Sequence, residues 1–220
     1  MSISLHQVDA DSHLRTETEN ILNPRAATVA FVVASVDPST LTSGQSLTLA
    51  AAVSGLALRV ARKITMTLTD LSGGAGGLSV TVQINGHRFG KPISENLTVT
   101  CTSGAATPGT STLVYDQVTS VVARVLTTTG AGDALTVGID GTALGLSKPI
   151  DSVNDVLSIQ KLVSGVEQTP IAISSTTVDV ANSAIVHGGT ITANTDIFVI
   201  RYRAAVNKDD PGAGRNGVYA

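Results

Sequence analysis

The sequence predicts an all-β fold: an antiparallel β-sandwich, jelly-roll-like, with extended N- and C-terminal arms. Three observations predict it. Apolar and hydroxyl side chains alternate with a period of two. Ile64, Met66 and Leu68 alternate with Thr65, Thr67 and Thr69; Leu78, Val80, Val82 and Ile84 with Ser79, Thr81 and Gln83; Leu97, Val99 and Cys101 with Thr98 and Thr100. Such a period sends one set to a buried face and the other to the opposite face. Turn signals at Asp37-Pro38-Ser39, Asn85-Gly86 and Asp140-Gly141 cut the chain into short runs spaced as in a sandwich or barrel. Finally, no stretch holds a helical period over three turns.

Taken in order, residues 1–25 read as an N-terminal arm. They are polar, with Asp9, Asp11, Arg15, Glu17, Glu19 and Arg25 beside His6 and His13, and their apolar residues fit no clean strand. The core is expected over 26–206. Ala26 to Val36 reads as a strand stopped by Asp37-Pro38-Ser39. Leu41 to Ala51 and Val53 to Val60 read as two further strands. Ile64 to Thr69 and Leu78 to Ile84 flank the glycine tip Ser72 to Gly77. Asn85-Gly86 is the strongest turn signal of the chain, and Ile93 to Cys101 follows it. Thr102 to Ser111 reads as a loop, Val114 to Val125 as one or two strands, and Thr127 to Ala134 as another loop. Leu135 to Ile139 is a strand closed by Asp140-Gly141. Val153 to Val163 fits a strand or one short helix. Pro170 to Val180, Ile185 to Ile191 and Ile197 to Arg203 complete the set. Residues 207–220 read as a C-terminal tail.

Composition narrows the function. A chain of 220 residues suits one domain with arms. It has no Trp, three Phe and three Tyr, so burial falls to Val, Ile, Leu and Ala, which suit thin sheets about 10 Å apart. Charged residues make up 14%, against about 25% in typical domains. The net charge of -3 gives no footprint for a nucleic-acid partner. A low-charge surface rich in Thr and Ser is expected to pack against copies of itself, as a homo-oligomer. A single cysteine, Cys101, excludes an internal disulfide, and its place in an alternating run makes it a buried hydrophobe. The N-terminus lacks a basic start and an apolar stretch, so no signal peptide is read. No apolar run approaches the ~20 residues of a membrane helix, so no membrane partner is expected and synthesis is placed in a cytoplasm.

Each chemical motif has a plainer reading. Ser72 to Gly77 resembles a phosphate loop only in composition: a strand follows it, not a helix with Lys and Ser or Thr. His87 and Glu95 could face each other across a hairpin as an acid–base pair; with Arg88 and Lys91 they read more simply as a solvated rim cluster. His187 precedes Gly188-Gly189 and reads as a turn residue. The histidines lack zinc spacing. Asp9 with Asp11, and Asp209 with Asp210, lie in the arms without a calcium-loop pattern. No nucleophile elbow is present. The expectation is no enzyme, with no catalytic residue, no cofactor-binding residue, no metal site and no cofactor. A sugar-binding surface would want exposed aromatic platforms, which this chain scarcely has.

The order of signals from Arg62 to Ile150 resembles a widespread type of tailed-phage virion structural protein. The matching residues are Arg62 to Asp70, Gly90 with Ile93-Ser94-Glu95, Leu97 to Thr100, Val118 to Val121 and Val137 to Pro149. Asn23-Pro24-Arg25 is similar to the entry to the first core strand in those chains. The resemblance implies a capsid decoration (cement) protein of the outer head surface, located on the virion after synthesis in the host cytoplasm. Its implied partners are the major capsid protein and further copies of itself, a trimer being the expected homo-oligomer. The alternative is a tail, neck or fibre-associated virion part; a hydrolase or sugar-binding domain is the alternative from another class.

Overall fold

In the computed structural model, residues 14–205 are described except 52–56, 72–76, 103, 107, 128–129, 190 and 193–194. Among them the regular structure is all β, with no α-helix and two single 3-10 turns. The strands are β1 (Leu14–Leu22), β2 (Thr28–Val36), β3 (Ala57–Asp70), β4 (Leu78–Arg88), β5 (Lys91–Cys101), β6 (Gly104–Ala105), β7 (Gly109–Thr127), β8 (Ala134–Ile139), β9 (Ala143–Gly145), β10 (Val156–Val163), β11 (Val166–Glu167), β12 (Val178–Asp179), β13 (Ala184–Val186) and β14 (Asp196–Ala205). The pairings between them are antiparallel.

The largest sheet has the order β2-β8-β3-β7-β4-β5, with β6 on β3. β7 holds it together. Its first half pairs with β3 as far as Gln117, and its second half pairs with β4 from Gln117 onward. One strand thus serves two neighbours, and the sheet curls around a single core. Ile64, Met66 and Leu68 of β3, Val80, Val82 and Ile84 of β4, and Leu135 and Val137 of β8 have no exposed surface. Each such side chain contributes about 1.5–3 kcal/mol by leaving water. The segment after β2 spans the gap left by the curl. Leu47 N–H donates to the Val121 carbonyl, and Ala50 N–H donates to that of Val32. The sheet does not close into a barrel.

A second core lies between two smaller sheets, β1-β14-β10-β11 and β12-β13-β9. Ile21, Ile159, Phe198, Ile200 and Tyr202 from the first meet Leu144, Val178 and Ile185 from the second. Ala61, Val114 and Ala184 form a small contact of their own between the large sheet and β13. Chain order explains the join: β8 of the large sheet leads through Asp140-Gly141 into β9 of the small one.

The period-two runs fold as expected, and other expectations change. Leu14–Leu22, read as arm, is a nine-residue strand on β14. Its buried-side residues are Glu17, Glu19 and Ile21, so the apolar alternation that marks a strand is missing. Glu19 is held by Ser147 N–H at 2.8 Å, the Ser147 hydroxyl at 3.0 Å and the Tyr202 hydroxyl at 3.0 Å. Residues 1–13 and 206–220, the rest of the two arms, lie outside the described residues. Leu41 to Ala51 is not a strand; it makes one isolated bridge, Ser46 to Val122, because local bonds such as Thr42 N–H to Gln45 Oε1 compete with a ladder. Pro170 to Val180 keeps only Val178–Asp179 as strand. There Thr177 Oγ1 donates to the Ala172 carbonyl and accepts from Ser174 N–H, winding the chain into a turn. Val153 to Val163 divides: a 3-10 turn at Val153–Asp155, capped by Ser152 and Asp155, then β10.

A further change concerns the turn after β4. Asn85-Gly86 sits inside β4, opposite Ser94 and Ile93 of β5. The chain reverses at Phe89-Gly90, with φ of 52° and 73° between the paired residues Arg88 and Lys91. Positive φ at both positions is the two-residue hairpin turn that matches strand twist. Gly90 supplies it without strain, and Phe89 is held in it: its N–H donates to Asp116, and the Arg88 guanidinium lies 3.8 Å from its ring centroid.

Candidate functional site

The motif residues are separated by the pleat. In β4 the odd-numbered side chains, His87 among them, face away from the core, while Glu95 pairs with Ile84 on the core face. No acid–base pair forms. Glu95 takes three bonds from β7: Thr112 N–H at 2.8 Å, Thr112 Oγ1 at 3.0 Å and Leu113 N–H at 3.1 Å. It anchors the edge strand β5 to β7. The rim-cluster expectation also fails for Arg88, which is buried. Its alternation with Ile84 and Gly86 points it inward, and it spans the two cores. Nη1 donates to Asp116 Oδ1 at 2.6 Å. Nη2 reaches the carbonyls of Leu146, Asn182 and Ser183 at 2.9–3.0 Å. Burial lowers its pKa, with Asp116 opposing. Arg62 makes a second such joint, donating to the carbonyls of Ala143 and Arg25; burial brings its pKa down to about 10. Spacing could not show that these guanidiniums face inward, because an arginine inside a strand reads as surface.

His187, read as a turn residue, directly precedes the bend at Gly188-Gly189 and is buried. Its backbone N–H donates to the Thr142 carbonyl, its ring lies 4.9 Å from that of Phe198, and Nε2 has no partner. Burial lowers its pKa first; Lys161 and Arg62 add to that, and the bond from the ring to the Gly141 carbonyl, with Asp140, opposes. The neutral ring is the folded form, so the unfolded chain takes up the proton more readily. Stability therefore falls as pH drops below the unfolded value of about 6.5. Asp196, buried, is held by Lys161 Nζ at 2.8 Å and Thr192 N–H at 2.8 Å. Its desolvation is outweighed by these bonds and its pKa is lowered, so its contribution persists until pH falls below the ordinary carboxylate range. Thermal melts between about pH 7 and pH 5 should fall for the wild type and flatten for His187→Gln. Equal slopes in the two proteins would disprove the role of His187.

Cys101 is buried, as expected, and its thiol donates to the Gly104 carbonyl. The glycine tip 72–76, Asp9, Asp11, Asp209 and Asp210 lie outside the described residues. Among the described residues no group of His, Cys, Asp and Glu is arranged to hold a metal ion, and no helix is long and apolar enough to cross a membrane. An open groove of about 330 Å³ runs along the β4–β5 tip, lined by Asn85, His87, Pro92, Ser94 and Thr119 among others, with no Asp, Glu, Lys or Arg in its lining.

The most distinctive surface is the outward face of β4, β5 and β7. Ser79 and Thr100 hydroxyls meet at 3.2 Å, and Thr81 and Thr98 at 2.8 Å. Asn85 Nδ2 donates to Ser120 Oγ at 2.9 Å, and Arg124 Nε to Gln83 Oε1 at 3.0 Å. Hydroxyls and amides are tied across three strands, so their geometry is fixed before any partner arrives. Such a face can accept and donate hydrogen bonds along three neighbouring strands. Comparison with family models, curated proteins and solved structures finds no match to this chain.

Proposed function

We propose that this protein is a structural component of a tailed-phage virion, a decoration protein that binds the outside of the head and strengthens contacts between capsomers. The sheets enclosing the second core are read as a sandwich of the jelly-roll kind. The observation that carries the reading is the hydroxyl and amide face of β4, β5 and β7. It is tied across three strands and carries Arg124 as an exposed charge, which suits docking on a repeated protein lattice. The buried arginines support the same reading, since Arg62 and Arg88 are committed to holding the sheets together and not to a reaction centre. Partners on this reading are the major capsid protein and further copies of the chain, with a trimer as the expected assembly. Quantitative mass spectrometry of virions containing this chain tests it. A copy number that scales with the major capsid protein is the expected result. A handful of copies per particle would move the protein to the tail or neck, and its absence from particles would end the proposal.

A further inference from the structure

The outer face of the four-stranded sheet has an ordered polarity. Arg203 and Arg201 are exposed at one end, and neither pairs with an acid among the described residues. Val199 follows, and then a row in which Ile197 is flanked by Leu162 and by Leu22, which is 63% exposed. The acid in that row, Glu167, pairs with Leu162 at the apolar end, away from the arginines. The strand rows repeat every two residues, about 6.8 Å.

Residues 1–13 carry the complementary pattern. Taken in steps of two, they read Asp11, Asp9, Gln7, Leu5, Ile3, with no Lys or Arg in the segment. An extended segment puts these five on one side. Laid along the sheet, Asp11 and Asp9 fall over Arg203 and Arg201, Gln7 over the Val199 row, and Leu5 over the Ile197 row. We propose that residues 1–13 of a second copy of this chain dock on this face, acids to arginines and apolar residues to apolar residues. The chain's own segment is placed badly for the task. Leu14 lies at the arginine end, opposite Ala205, so Ser12 and His13 alone would have to reverse the chain and climb about 10 Å to a second layer. Head-to-tail exchange of this kind is a heterologous contact, which closes into a ring when the rotation permits. The inference rests on the oligomeric reading above and names the contact that makes the oligomer.

The absence of tryptophan supplies the test. Leu5→Trp introduces one tryptophan as a reporter. At high protein concentration its emission should be blue-shifted and shielded from acrylamide, and on dilution or in high salt it should revert to that of a free indole. Adding Arg201→Glu and Arg203→Glu should weaken association tenfold or more with the β-sheet circular dichroism unchanged. Asp9→Arg with Asp11→Arg on the same chain should restore it. Mixing the arginine-reversed protein with the aspartate-reversed protein should restore shielding where neither alone shows it. A tryptophan fully exposed at all concentrations, shielding that survives the arginine reversal, or shielding independent of concentration, as docking on the chain's own face would give, overturns the proposal. Head binding by the Leu5→Trp protein with Arg201 and Arg203 intact is assayed separately: if it binds heads without shielding, this contact fails and the virion reading stands, whereas shielding without head binding fails the virion reading alone.

Discussion

Arg88→Met should lower stability by about 3 kcal/mol, toward the lower end for breaking a buried ion pair because the Asp116 side chain is 33% exposed. In a chain of this length that is a fall in melting temperature of roughly 6–12 °C. Methionine keeps much of the volume and removes the donors. Asp116 loses its 2.6 Å partner, and the carbonyls of Leu146, Asn182 and Ser183 lose the group that satisfies them. An unsatisfied buried acceptor costs more than the bond is worth when made. The damage should also be directional. Arg88 ties the β4–β5 hairpin to the stretches flanking β9 and β13, so amide exchange should speed up in Ala143–Gly145 and Ala184–Val186 before it does in β3 or β8. Asp116→Asn keeps an acceptor for Phe89 N–H and should cost less. A melt for Arg88→Met within about 2 °C of wild type would show that the two cores are held by their apolar contacts alone.

What the sequence reveals and what it hides follow one physical line. Alternation is visible wherever apolar residues mark the inner face, as in Ile64 to Thr69 or Leu78 to Ile84, and those strands fold where expected. β1 escapes because two of its inward positions are glutamates, and only the fold brings Ser147 and Tyr202 up to satisfy Glu19. Pro170 to Val180 misleads in the opposite sense: its apolar residues suit a strand, while Ser174 and Thr177 offer the backbone local partners that win. Arg62, Arg88 and His187 are polar residues whose burial no local pattern marks. Their burial depends on carbonyls 37 to 95 positions distant, information that no local window holds. The hydroxyl face is readable as a surface, since it is the outward half of the same alternation, but the cross-strand bonds that tie it together and the groove at its β4–β5 end are not.

Gly86→Ala separates the local reading from the tertiary one. Were Asn85-Gly86 the hairpin turn, the glycine would be there for its backbone freedom, and alanine would cost about 1–2 kcal/mol through left-handed strain. The fold assigns that role to Gly90, whose φ is +73° and which has nothing within 4 Å of an added Cβ. Gly86 instead lies where β7 crosses β4 most closely, beside the register shift between Asn85 and Gly86. A Cβ there would stand 2.1 Å from the Gln117 carbonyl oxygen and 2.7 Å from Tyr115 Cδ1. The carbonyl is backbone, and the tyrosine is fully buried, so neither can swing aside. The strand itself must move at the point where β7 passes from β3 to β4. We expect Gly86→Ala to cost 3 kcal/mol or more, at or beyond the upper end of ordinary overpacking at about 1–3 kcal/mol, and Gly90→Ala to cost about 1–2 kcal/mol. Urea titrations of both variants read the order directly. Gly90→Ala proving the more damaging of the two would return the turn to Asn85-Gly86 and with it shift the pairing of β5 along β4.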